Sequence, residues 1–361
     1  MTGSVGDGRS LANELLNPNC SHSLTAPRQS GSDFLNGCDG ASMMVSYDNC
    51  TASLSLFPEM PLRPAVTFAV GDIPRKVLDV IGTIAKIRFP AQGQVSDLAC
   101  VETTRGSFAL KRIREKIAFL DGFEGGVRPQ LDWAEREYRV LSILAPLGLP
   151  VAQPHGCFRL GTPPNEEAWL VMDALPGEPL YSGEDTTAAQ EDCTRRILTP
   201  PWGPAVMRSL GRALAKVHQV PLTPELAGPN GDIMDGRIAL VEGWVKEDEQ
   251  AKDEFWATEH RSQLNRLLGL KAHPPSHVLP TLIHGDLNHA NVLAVGAEVS
   301  GIVDWTGARA GDPRHDIASV LKFRRVADFR FDAPVLAFFE GYGIPPLPRE
   351  EILWFLKATL W

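Results

Sequence analysis

The chain has 361 residues, 43% apolar and 22% charged, enough for one large domain or two ordinary ones and close to the average of globular proteins. These values exclude wholesale disorder, collagen and a long coiled coil, and no apolar run reaches the roughly 18 residues that span a bilayer. A formal net charge of −9 argues against a nucleic-acid partner, because binding phosphates calls for a surplus of Lys and Arg.

The first 60 residues contain ten Ser, six Gly, five Asn and no Lys, too polar a composition to offset chain entropy by burial. Residues 1–65 are therefore predicted to be a disordered or loosely attached tail, with the folded part beginning near Val66. They lack the basic segment and apolar stretch of a secretory signal. The six cysteines contain no Cys-x-x-Cys pair, which indicates neither a disulfide framework nor a zinc cage. The expectation is a reduced, cytoplasmic protein without a membrane or nucleic-acid partner.

Asp72-Ile-Pro74-Arg75 opens a predicted helix, with Asp72 as N-cap, Pro74 in the first turn, and Val77, Leu78 and Ile81 as apolar positions. Alternation predicts strands over Ile84 to Phe89, Leu98 to Thr103 and Ser107 to Ile113, the last two joined by a turn at Arg105-Gly106. Asp132-Trp-Ala-Glu135 reads as a capping box that starts a helix ended by Pro146. Trp169 to Met172 reads as a strand running into Leu175-Pro-Gly177. From there the pattern is mostly helical. Val206 to Val217 is amphipathic, and Glu350 to Trp361 forms a last helix with Ile352, Leu353, Leu356 and Leu360 on one face, broadened by Phe355. Strands early and helices late predict an α+β protein with a small sheet-rich lobe before a larger helical one.

The most informative stretch is His284-Gly-Asp286-Leu-Asn-His-Ala-Asn291, followed by Ile302-Val-Asp304-Trp305. Apolar pairs (Leu282-Ile283, Val292-Leu293, Ile302-Val303) bracket the polar positions and would bury short strands beside them. Phosphoryl transfer needs such a set: an aspartate to accept the proton of a hydroxyl, and oxygen ligands for Mg²⁺ that leave positions open for phosphates.

Here the sequence resembles the aminoglycoside phosphotransferase and choline kinase group, relatives of the protein kinases. The quoted residues match its His-Gly-Asp-x-x-x-x-Asn loop and its later Asp-Trp motif. Gly311-Asp-Pro-Arg-His-Asp316-Ile-Ala matches its Gly-Asp-Pro-x-x-Asp-Leu-Ala segment. The resemblance covers about residues 84 to 340. It implies a bilobal protein-kinase-like fold, with an N-lobe and hinge over 66–175 and a C-lobe over 176–361. Asp286 would be the catalytic base, with Asn291 and Asp304 as Mg²⁺ ligands. His284 would brace the loop, His289 would either touch substrate or be solvated, and Asp312 and Asp316 would satisfy backbone donors at the next helix start.

Such a fold also needs a lysine on its third strand to hold phosphates and a helix glutamate to orient it. In Phe108-Ala-Leu-Lys-Arg112, period two puts Ala109, Lys111 and Ile113 on one face and Phe108, Leu110 and Arg112 on the other. Ala109-x-Lys111 resembles the kinase Ala-x-Lys step, with Arg112 as the competitor. In the helix from Asp132, Trp133, Val140, Leu141 and Leu144 form an apolar stripe with Glu137 near its centre, a costly position unless the carboxylate meets a cation. The match to the family's Arg-Glu-Tyr segment makes Lys111 that cation. Ala91-Gln-Gly93-Gln-Val-Ser96-Asp97 fits only a loose version of the phosphate loop, with Gly93 and Ser96 as donors. Met172 to Leu175, including Ala174, matches the hinge whose backbone would bond a nucleobase.

Only six residues, Trp305 to Ala310, separate Asp304 from Gly311, too few for a protein-kinase activation segment, and no Ala-Pro-Glu follows. The expected activity is phosphoryl transfer from ATP or GTP, with Mg²⁺, to a hydroxyl of a small molecule. The alternatives are a nucleotide-binding regulatory protein and an atypical protein kinase. Acidic residues at Glu242 and Glu247 to Glu254 read either as a solvated helix face or as an attractor for a cationic substrate.

Overall fold

The computed structural model describes residues 68–90, 96–114, 131–162, 165–181, 187–228, 233–324 and 326–359. The predicted tail therefore lies outside the described residues. Phe68 is already buried, 3% exposed, and stands edge-on to Phe89 and Trp169.

The first lobe is a five-stranded antiparallel sheet in the order β1-β2-β3-β5-β4, formed by β1 (Ile84–Arg88), β2 (Asp97–Thr103), β3 (Gly106–Arg114), β4 (Pro154–Leu160) and β5 (Glu167–Asp173). Helix α1 (Arg75–Ile81) packs on one face, where Val77 and Ile81 join Ala99, Val101, Phe108, Leu110, Trp169 and Val171 in one cluster. Helix α2 (Asp132–Leu144) covers the other, where Leu131 and Ala134 meet Ile113 and Ala168. Central strands covered on both faces read as apolar runs, and β5 is buried at Ala168 through Met172. Strand β4 has no comparable run, and the sequence pattern did not mark it. Its burial is patchy, with His155 and Arg159 exposed on an edge.

Two predicted helix starts differ from the structure. Asp72 accepts a bond from Ala69 N–H at 2.8 Å within a 3₁₀ turn, and α1 begins only after Pro74. Asp132 and Glu135 form no capping box, because both reach the Arg159 guanidinium on β4, at 3.1 and 3.5 Å. A neighbouring cation outcompeted the backbone donors for these carboxylates.

The second lobe begins with β6 (Glu178–Pro179) and the helices α3 (Thr187–Leu198), α4 (Trp202–His218), α5 (Pro224–Ala227), α6 (Ile233–Ala251) and α7 (Glu254–Ala272). Short strands β7 (Thr281–Ile283), β8 (Val292–Val295), β9 (Glu298–Ile302) and β10 (Arg309–Gly311) follow, then α8 (Pro313–Leu321), α9 (Ala333–Tyr342) and α10 (Arg349–Thr359). Strand β10 pairs with β7, and β8 lies between β6 and β9. One apolar cluster runs from Val140, Leu141 and Leu144 on α2 through α4, α8 and α9 to Ile352, Phe355 and Leu356 on α10, so α2 is shared by both lobes. The last helix thus completes the core with three of its five expected apolar positions; Leu353 is half-buried and Leu360 lies outside the described residues.

Candidate active site

Strands β7, β8 and β9 hold two loops against each other. The first, residues 284–291, leaves β7; the second, from Val303, leaves β9. Where they cross, Gly285 has φ +82°, and a Cβ there would stand 2.4 Å from Gly307 O. Only glycine permits both this conformation and this approach.

Buried polar groups tie the loops. His284, fully buried, has Nε2 3.0 Å from Val303 O and accepts from Asp286 N–H through Nδ1 at 3.3 Å, so Nε2 carries the proton. Asp316 of α8 accepts the N–H groups of His284 and Gly285 at 2.6 and 3.1 Å, and His218 Nε2 stands 3.3 Å from it. Burial opposes ionisation of Asp316, yet His218, His284 and the backbone donor outweigh it and hold its pKa below the ordinary value. Asp312 serves its own helix, accepting Arg314 N–H at 2.9 Å. Asp316 instead supports a loop 32 residues earlier in the chain.

Asp286 lies at the end of this frame. Its side chain is exposed at the tip, but protein crowds it on the other sides. This burial, with the negative charge of Asp304, raises its pKa against the pull of His284. Asn288 Nδ2 lies 3.5 Å from its Oδ1, and Asn291 Nδ2 donates to the Asp286 carbonyl at 2.9 Å.

Lys111 bridges the lobes. Its Nζ donates to Glu137 Oε2 at 2.7 Å and to Asp304 Oδ1 at 2.9 Å. Burial alone would make this ammonium less basic, but Asp304 and Glu137 overcome it and raise its pKa. Asp304 also suffers from burial, and Lys111 with the Thr306 hydroxyl at 2.8 Å brings it down to about 2. Glu137 is 1% exposed and burial raises its pKa; it keeps two donors, Lys111 Nζ and Trp305 N–H at 3.0 Å. The apolar stripe on α2 thus delivers Glu137 to a cation and to the backbone beside Asp304. Arg112, the competing candidate, faces away: it pairs with Asp97 at 2.8 Å and lies over the Phe68 and Trp169 rings.

The arrangement offers two oxygens for a hard cation. Asp304 adopts a left-handed conformation, φ 65°, and both of its side-chain bonds end on Oδ1, leaving Oδ2. The Asn291 bond uses its amide nitrogen and leaves its oxygen. Among the described residues no group of three or more His, Cys, Asp or Glu could hold a metal. A pair of oxygens completed by phosphates and water is nevertheless how Mg²⁺ is commonly bound.

Other expectations fared differently. Gly93 lies outside the described residues, and Ser96 is buried just before β2. Met172 sits within β5, opposite Ala109 and Pro154. The Ala174 N–H is already donated to Ser107 O at 3.1 Å, so at this position the hinge backbone offers its carbonyl rather than its donor. His289 neither touches an open cleft nor is solvated. It is 6% exposed with Nε2 3.0 Å from Val320 O, and burial lowers its pKa to about 4. Sequence reasoning missed Thr306, whose hydroxyl donates to Asp304 Oδ1. The acidic residues of α6 and α7 are in part paired, Asp248 with His260 and Glu249 with Arg261, both at 2.6 Å.

A family model described as "Phosphotransferase enzyme family" matches residues 86–353. Among curated proteins, the chain is 26% identical to mouse acyl-CoA dehydrogenase family member 10 over 62% of its own length and 19% of that protein. It is 32% identical to a homoserine kinase of Rhizobium etli over 40% of its own length and 45% of the kinase. The chain therefore spans less than half of either relative. Among solved structures, an aminoglycoside phosphotransferase bound to GDP and kanamycin superposes with a TM-score of 0.53 at 14% identity, covering 78% of this chain and 85% of that one. The GDP complex of an aminoglycoside 2′-phosphotransferase gives 0.52 at 15% identity, with 76% and 83% covered. At these identities the likeness establishes the bilobal, protein-kinase-like fold.

Proposed function

Because the chain belongs to the phosphotransferase enzyme family, we propose that it is a small-molecule kinase, moving the γ-phosphoryl group of ATP or GTP to a hydroxyl of a small alcohol. The observation that carries this reading is the contact of Lys111 with both Glu137 and Asp304, which draws the two lobes together beside Asp286. In this reading the acceptor oxygen attacks the γ-phosphorus, the bond to the β–γ bridging oxygen breaks, and the hydroxyl proton passes to Asp286. A pKa raised by its surroundings makes Asp286 a better proton acceptor than a solvated carboxylate. Lys111 meets donor phosphate oxygens without losing its place, because Glu137 holds it from behind. Mg²⁺ at Asn291 and Asp304 would supply charge neutralisation on the phosphates.

The short segment between Asp304 and Gly311 favours a small acceptor. All of it but Ala308 is used in a 3₁₀ turn (Trp305–Gly307) and the start of β10, which leaves no platform for a peptide. No described helix is long and apolar enough to cross a membrane. The test is nucleoside diphosphate release with a panel of alcohols, comparing the full chain with Asp286→Asn. Acceptor-dependent release that the substitution abolishes supports the reading. Tight nucleotide binding with no acceptor-dependent release across the panel overturns it in favour of a regulatory role.

A further inference from the structure

Cations stand around the loop that carries Asp286. Arg309 opens β10 opposite Ile283, the last residue before the His284-Gly285-Asp286 loop. Its Nε donates to Gly307 O at 3.1 Å, and this carbonyl lies over Gly285. Arg309 is half-buried and has no carboxylate partner among the described residues, and burial alone lowers its pKa. Arg136 of α2 donates to Ala308 O, and a Cβ added at Gly228 would meet both its guanidinium and the Arg309 side chain. Arg237 of α6, also half-buried, donates to Ala358 O, and its charge reaches Asp286. The charge of Lys322, just past α8, reaches Asp286 as well.

A fifth group points the same way. His315 of α8 is 6% exposed, and neither ring nitrogen has a hydrogen-bond partner among the described residues. Its electrostatic neighbours are Arg237, Asp316, Arg309 and Lys322; burial first, then Arg237, lowers its pKa to about 3, so it is a neutral imidazole offering one N–H. Asp286 apart, the carboxylates near this group are engaged elsewhere. Asp316 holds the loop N–H groups and His218, Asp304 holds Lys111, and Asp312 and Glu351 hold Arg314 at 2.7 Å. A half-buried guanidinium without a carboxylate and a buried imidazole without a partner are both costly. An anion held between Arg309 and His315 would satisfy both, and a guanidinium fork fits carboxylate and phosphate oxygens.

We propose that the acceptor alcohol carries an anionic group, a carboxylate or a phosphate, bound by Arg309 and Arg237 with His315 while its hydroxyl faces Asp286. This rests on the phosphotransferase reading of the site. The experiment presents the full chain with nucleotide and four acceptor classes: short hydroxycarboxylates, phosphorylated alcohols, neutral sugars, and cationic amino alcohols including aminoglycosides. Turnover is followed in the unsubstituted protein, Arg309→Gln, Arg309→Lys and Arg237→Gln. Turnover should concentrate in one anionic class, which identifies the group. Arg309→Gln should raise the acceptor KM by about 10- to 100-fold while the nucleotide KM moves far less, and Arg309→Lys should recover part of the loss.

Asp286-dependent turnover confined to neutral or cationic acceptors would overturn the anionic acceptor and leave the kinase reading standing. If no acceptor is turned over, calorimetric binding of hydroxycarboxylates and inorganic phosphate still decides. Saturable binding weakened by Arg309→Gln supports the anion site without the kinase reading, and its absence removes the site. Melting temperatures show whether each variant is folded, and Arg237→Gln provides the same test should Arg309→Gln fail to fold.

Discussion

Replacing Asp316 with Ala should damage both stability and catalysis, although Asp316 is fully buried and faces no substrate. The substitution strands the buried His284 N–H and the half-buried Gly285 N–H, and removes the carboxylate from His218 Nε2. An unsatisfied buried donor costs about 1–3 kcal/mol. Part of the loss is recovered because a buried charge no longer has to be desolvated. The net expectation is about 3–5 kcal/mol, a large share of the roughly 5–15 kcal/mol that holds a domain folded. Asp316→Asn keeps one acceptor oxygen and should lose about half as much. Because the two donors lie immediately before Asp286, the loop should also shift, and a displacement near 1 Å lowers turnover by about 10²-fold. Urea denaturation gives the stability change and steady-state turnover with a working acceptor gives the rate. A loss under about 1 kcal/mol in Asp316→Ala, with normal turnover, would refute the reasoning that this carboxylate holds the loop.

Three further expectations follow from the site. Lys111→Met leaves Glu137 buried beside only Trp305 N–H and leaves Asp304 without its cation, so chemical denaturation should show a loss of about 3–5 kcal/mol, with nucleotide affinity falling in the same variant. Gly285→Ala puts a Cβ at a left-handed position 2.4 Å from Gly307 O, and should cost more than about 2 kcal/mol in the same assay. His289 and His315 titrate near 4 and 3 when folded, below the 6.5 of a free imidazole, so the unfolded chain binds more protons between those values. Stability is then fully present above about pH 6.5 and falls on acidification by up to about 1.4 kcal/mol per pH unit for each histidine; denaturation midpoints measured from pH 7.5 to 5 should show this slope, and His289→Asn should reduce it.

Much of the site was legible because its parts are local. Asp286, Asn291 and Asp304 sit at fixed spacings between apolar pairs, and those pairs do become β7, β8 and the end of β9, so order and distance along the chain carried over into space. Glu137 was legible because a carboxylate amid an apolar helical stripe must find a cation, and Lys111 because Ala109-x-Lys111 resembles the kinase step while period two puts Arg112 on the other face. The helix starts at Asp72 and Asp132 were misread because a local rule met a competitor, Ala69 N–H in one case and Arg159 in the other.

What the tertiary structure alone decided are the contacts between segments far apart in sequence. The bond of Asp316 to the loop that carries Asp286, the bond between His289 and Val320, the use of the Ala174 N–H by Ser107, and the grouping of Arg237 and Arg309 around His315 join elements that no period or spacing relates. Sequence pattern reports which face of an element must be buried, through the 2.0 and 3.6 periodicities. Which polar groups meet across the resulting interfaces depends on how the packed elements are placed, and there a polar side chain takes whichever donor, acceptor or charge lies nearest.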